Sequence, residues 1–107
     1  MDQPHKVTLH VATNAQGKRI VVCDPSKVEN NRIKLGGAVR FEAADQANTV
    51  QIGLGGVATF TPGDKGAFFQ EFTAATVGNF DFAASLTLPD ATVIEWEPGS
   101  GGEGKVH

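Results

Sequence analysis

The chain of 107 residues has one cysteine, one tryptophan and one methionine, the last of these Met1. A lone Cys23 excludes an internal disulfide and fits a reducing compartment. Long apolar runs are absent: nothing approaches the roughly 20 residues that a membrane-crossing helix needs, so no membrane partner is expected. An excess of basic charge is absent as well. Nine Lys and Arg stand against twelve Asp and Glu, for a formal net charge of −3. The basic residues are scattered, whereas phosphate recognition needs them clustered, so nucleic acid is not expected as a partner. Residues 1–6 (MDQPHK) lack a basic stretch followed by an apolar one. No signal peptide is read there, and a cytoplasmic location is expected unless a leader has been removed.

Helical spacing is missing too: apolar residues nowhere recur at i, i+3 and i+4 over the roughly ten positions a helix requires. What is present is alternation. Val7-Thr8-Leu9-His10-Val11 alternates, Asn14 to Gly17 turns, and Ile20 to Cys23 is a β-branched run, which together read as a hairpin over residues 7–23. Arg32 to Leu35 and Val39 to Ala43 alternate on either side of Gly36-Gly37, and Asn48 to Leu54 alternates ahead of Gly55-Gly56. Val57 to Phe60 reads as a further strand, and Thr61-Pro62-Gly63-Asp64 as a turn. Phe68 to Ala74 and Phe80 to Leu86 flank Gly78-Asn79 and read as a second hairpin, and Ala91 to Glu97 as the last strand, with Ile94 and Trp96 on one side.

About seven or eight short strands with regular turn signals indicate an all-β fold, a sandwich or barrel, of which an antiparallel sandwich is expected. Residues 1–97 are expected to form that single domain. Residues 98–107, rich in glycine, are expected to form a flexible tail, because they bury too little apolar surface to offset their ordering entropy.

The stretches Asp24-Pro25-Ser26-Lys27-Val28, Ile33 to Phe41 and Val77-Gly78-Asn79-Phe80-Asp81-Phe82 resemble the cupredoxin pattern, a resemblance that implies an antiparallel Greek-key β-sandwich of cupredoxin-like or immunoglobulin-like type. The whole chain resembles a family of small bacterial proteins called DP-EP, for which the two dipeptides here would be Asp24-Pro25 and Glu97-Pro98. That second resemblance implies a fold and no activity. Blue-copper chemistry is excluded, because it needs a Cys, two His and usually a Met gathered after the penultimate strand. Thr87-Leu88-Pro89-Asp90 contains none of these.

Few residues remain to carry chemistry. His10 and Cys23 lie on neighbouring predicted strands, and if paired in simple register they could form a thiolate nucleophile or edge a pocket; the alternative is a buried thiol acting as a small hydrophobe. His5, His10, Cys23 and His107 show no metal-ligand spacing, so neither a metal nor a cofactor is expected. Glu95 and Glu97 share a solvent face, and Gly53-Leu54-Gly55-Gly56 lacks the Lys-Ser/Thr of a phosphate loop and reads as a turn or bulge. In Phe68-Phe69-Gln70-Glu71-Phe72 adjacent side chains face opposite ways. Phe69, with Glu71 beside it, is then either an exposed interface anchor or is turned inward by a bulge. The expected function is a non-enzymatic binding or assembly module that engages a protein partner or itself through an edge strand and Phe69. The rivals are a small enzyme or ligand carrier using Cys23 and His10, and a metal-handling protein on a cupredoxin-like scaffold.

Overall fold

Val7 and Leu9, Val39 and Phe41, and Phe80, Phe82, Ala84 and Leu86 are the alternating apolar sets, and every one of them is buried. A computed structural model, which describes residues 4–97 and 101–107, shows how they meet. The described residues form ten strands: β1 (His5–Thr13), β2 (Arg19–Asp24), β3 (Arg32–Ile33), β4 (Ala38–Ala43), β5 (Thr49–Gly56), β6 (Phe60–Lys65), β7 (Phe69–Ala74), β8 (Gly78–Thr87), β9 (Val93–Ile94) and β10 (Gly102–Val106). They build two five-stranded sheets. The first runs β2-β1-β4-β7-β6; the second runs β3-β10-β8-β5, with β9 also on β8. Phe41 of the first sheet meets Phe82 of the second with ring centroids 5.1 Å apart, and Phe60 meets Phe80 at 5.0 Å. Period-two alternation thus gives each sheet one apolar face, and burying the two against each other makes the sandwich. Among the described residues no helix is long and apolar enough to cross a membrane.

Five expectations need correction. The sheets are mixed rather than antiparallel, since β1 runs parallel to β4 and β10 parallel to β3. The strands on either side of Gly78-Asn79 are not a hairpin: β7 lies in the first sheet and β8 in the second, so the chain changes layer between them. Thr61 to Asp64 is not a turn but part of β6, an edge strand whose pairing slips between Pro62 and Lys65. Proline and glycine are tolerated there because one side of an edge strand needs no ladder bonds. The ten strands of the described residues also exceed the seven or eight expected: β10 is not among those, while Arg32 to Leu35 and Ala91 to Glu97 shorten to Arg32–Ile33 and Val93–Ile94 and only Phe60 of Val57 to Phe60 lies in a strand.

The fifth correction is β10 itself. Residues 102–106, expected within a mobile tail, pair with β8 on one side and β3 on the other; the part of that expectation covering 98–100 lies outside the described residues. Gly102 sits opposite Phe82 and Gly104 opposite Phe80. A Cβ at either glycine would run into the ring facing it, so these glycines are the hollows into which two phenylalanines lie. Asn31, 0% exposed, ties the strand down. Its Nδ2 donates to the carbonyls of Pro25, Lys27 and Glu103 at 3.0, 3.1 and 3.0 Å, and its own carbonyl accepts the Lys105 amide at 3.1 Å. Its Oδ1 accepts from His5 Nε2 at 2.7 Å, so a buried amide joins β1, β10 and the 3-10 turn at Val28–Asn30.

Candidate functional site

His10 and Cys23 are not brought together. Leu9, not His10, lies opposite Cys23, and this one-residue offset puts the two on opposite faces of the sheet. His10 is exposed on the outer face, while Cys23 is 2% exposed within the core. Burial pushes the Cys23 thiol up to about 11, which leaves almost no thiolate at neutral pH. Among the described residues no group of three or more His, Cys, Asp or Glu could hold a metal ion.

Phe69 does point away from Phe72, as adjacent-residue alternation requires: Phe72 pairs with Val39 and packs on the core, whereas Phe69 pairs with Glu42 on the outer face. It is not bare. The Arg40 guanidinium lies 3.8 Å from its ring centroid, and the Phe68 ring meets it edge-on at 5.3 Å. Arg40 also reaches Glu42 at 2.9 Å and Glu71 at 3.0 Å, and Lys6 reaches Glu42 at 2.7 Å. The ammonium of Lys6, followed by Arg40, holds the Glu42 carboxyl below its ordinary range. On this face every carboxylate near the aromatic ring has its cation, and Glu71 is a partner in that network.

The outer face of the second sheet is built differently. On β8 the outward set is Asp81, Ala83 and Ser85, and the β5 residues opposite them are Gly55, Gly53 and Gln51. Two of three β5 positions therefore carry no side chain. A Cβ at Gly53 would meet nothing, and one at Gly55 would lie 2.5 Å from Asp81 Oδ1, so the Asp81 carboxylate rests over bare backbone. Glu103 on β10 stands directly opposite Asp81. Two like charges in that position destabilise an antiparallel pair. Past β9 the chain leaves the ladder, so Ile94 is buried while Trp96, expected on the same side, is 46% exposed. Its ring comes within 3.8 Å of where a Cβ on Gly101 would be.

Together these residues shape a groove of about 660 Å³, floored by Gly53, Gly55 and Ala83 and bordered by Trp96, Asp81, Glu103 and Ser26. A second hollow of about 400 Å³ shares Gly53, Ala83 and Trp96 and adds Gln51, Ser85 and Glu95. Such volumes suit small ligands or short segments of polymer. No lysine or arginine lines either one. Among the described residues Asp81, Glu95 and Glu103 form no ion pair, for all three salt bridges lie on the other sheet. Glu97 is turned away from this role, its carboxylate accepting from Asn14 Nδ2 at 3.1 Å.

The groove was not singled out from the sequence, although a signal existed. Gln51-x-Gly53-x-Gly55 leaves a strand face without side chains, and Asp81-x-Ala83-x-Ser85 is the small polar set beside it. Reading Gly53 to Gly56 as a turn hid the first, and grouping Trp96 with Ile94 hid the aromatic wall. No protein-family model matches the chain, and no curated protein matches its sequence.

Proposed function

We propose that the protein is a non-enzymatic binding module whose recognition surface is the groove across the outer face of the second sheet. The observation that carries this reading is Trp96: a large aromatic ring, 46% exposed, beside a floor of glycine and alanine and a rim of polar groups. A large apolar ring left to water beside a concave surface is the usual mark of a contact made with something else. Catalysis finds no comparable support, because His10 and Cys23 occupy opposite faces of their sheet. The chain has one tryptophan and no tyrosine, so its fluorescence reports on this groove directly. Titration with a basic peptide, a neutral oligosaccharide and a nucleotide should give a saturable change in Trp96 emission for one class of probe, lost in Gly53→Leu, which fills the floor. A flat response to every class removes the reading.

A second reading, self-association, is favoured by β5. This strand of eight residues, TVQIGLGG, carries no charge, and among the described residues β8 is its one strand partner, with the Val50 amide donating to the Ala67 carbonyl at 2.8 Å. Uncharged edges of that length are open to pairing with another copy. Phe69, roofed by Arg40, supports assembly less well than β5 does. Light scattering across a concentration series, with Ile52→Lys as comparison, decides it: a strict monomer for both chains removes self-association. At a finer level, the parallel β1–β4 and β3–β10 pairings and the repeated changes of layer support a Greek-key, cupredoxin-like form of the sandwich.

A further inference from the structure

The first sheet contains a worked example of what the second lacks. There an aromatic ring, Phe69, and two carboxylates, Glu42 and Glu71, surround one guanidinium, with Arg40 stacked at 3.8 Å on the ring and 2.9 and 3.0 Å from the acids. On the second sheet the same partners recur: an aromatic ring, Trp96, and two carboxylates, Asp81 and Glu103, line one groove. The cation is missing. Lys105, two residues beyond Glu103 on the same strand face, forms no ion pair with either acid. Asp81 and Glu103 nevertheless face each other across the ladder at a cost to stability, a cost that a bound cation would remove.

Resting on the groove's being a binding site, we infer that its ligand is an arginine-bearing peptide segment, with a guanidinium received between Trp96 and the Asp81–Glu103 pair. Charge decides the class. A phosphate-bearing ligand is repelled by three carboxylates with no basic residue in the lining. A neutral sugar can stack on the indole but leaves those carboxylates uncompensated. A guanidinium answers both features, because its planar face stacks on aromatic rings and its edge donates in parallel to carboxylate oxygens. Size decides that it comes on a chain: about 660 Å³ exceeds what one arginine side chain fills and suits a short peptide. The floor at Gly53 and Gly55, lacking side chains, lets that backbone lie close to the sheet.

The test is a Trp96 fluorescence titration of the whole chain with the peptide acetyl-Gly-Arg-Gly-Arg-Gly-amide. Its twin carrying citrulline for arginine, and cellohexaose, serve as the other probes. The arginine peptide should produce a saturable change that weakens as salt is raised. The citrulline twin, which keeps the shape and loses the charge, should bind at least about tenfold more weakly. Asp81→Asn and Glu103→Gln should each weaken binding by about three- to tenfold. Both variants should melt no lower than the parent, since each relieves the repulsion, so lost binding cannot be assigned to lost folding. Equal binding of the citrulline twin, or unchanged binding in the double variant, overturns the inference. A response to cellohexaose alone overturns the ligand class and leaves the binding-module reading standing, whereas silence from all three probes overturns both.

Discussion

Arg40 is the residue on which the outer face of the first sheet depends, because it stands between two carboxylates and covers Phe69. Replacing it by methionine would leave Glu71 without its cation and Glu42 with Lys6 alone. Both acids are largely screened from water, with side chains 14% and 19% exposed, so the loss should be about 1–3 kcal/mol at neutral pH by urea denaturation. The sign with pH follows from Glu42, whose carboxyl is held below its ordinary range by Lys6 and Arg40. A depressed acid contributes stability above its unfolded pKa and loses it as pH falls through the folded one. The gap between parent and Arg40→Met should therefore narrow on acidification below about pH 4.5. Ala91 offers a change of the opposite sign. Its φ of 72° is one that glycine adopts without strain, and it lies exposed in the turn between β8 and β9. Ala91→Gly should raise stability by about 0.5–1 kcal/mol, the relief of strain exceeding glycine's extra chain entropy; a lower melting temperature would refute this.

At the scale of elements, glycine was the hardest residue to read, because the same letter does opposite things. Gly53 faces open space, whereas a Cβ at Gly104 would meet the Phe80 ring and lie 2.6 Å from the Asn31 carbonyl oxygen. Gly53→Ala should thus be neutral or gain up to about 0.5–1 kcal/mol in a strand interior. Gly104→Val should cost about 3 kcal/mol or more and detach β10, which amide hydrogen exchange at Lys105 and Val106 would detect. This contrast explains what was legible in the chain and what was not. Alternation is local, so Val7 and Leu9, Val39 and Phe41, and Phe80 to Leu86 could be placed on buried faces from their own neighbours. The hairpin of β1 and β2 was legible for the same reason, its turn signal lying between two adjacent strands. Pairings distant in sequence leave no such trace. Nothing local says that Gly102 and Gly104 will be covered by Phe82 and Phe80, or that Asn31 will bond the Glu103 carbonyl, so a strand looked like a tail. The change of layer between β7 and β8 was hidden likewise, because Gly78-Asn79 looks the same in a hairpin and in a crossing. The candidate groove needed three strands in register and was illegible for that reason. Phe69 was legible in direction but not in its cover, since Arg40 lies on another strand.

For the molecule as a whole, among the described residues no charged side chain is buried, and one titratable group, Cys23, sits in the core. This arrangement bounds stability on both sides of neutral pH by different mechanisms. On the acid side the first sheet's ion pairs fail as Glu42 is protonated. On the alkaline side the thiol decides. Burial alone raises Cys23 from 9.0 to about 11, so the folded chain keeps its proton over a range in which the unfolded chain has released it. Where the unfolded state binds fewer protons than the folded one, stability falls as pH rises. The fall begins near the unfolded value of 9.0 and ends near the folded value of about 11. Two units correspond to about 2–3 kcal/mol, a large part of the roughly 5–15 kcal/mol that holds a domain together. Cys23→Ala removes this titration and substitutes a small cavity whose effect does not depend on pH. The stability difference between parent and variant, measured by urea denaturation at steps from pH 8 to 11, should therefore shrink by about 2–3 kcal/mol across the upper part of that range. In the same protein iodoacetamide should leave Cys23 unmodified at neutral pH until urea unfolds the chain, because a thiol 2% exposed offers neither thiolate nor access. A constant difference across the pH series, or alkylation of the folded chain, would mean that the thiol is reached by water and that the core between the sheets is open at β2.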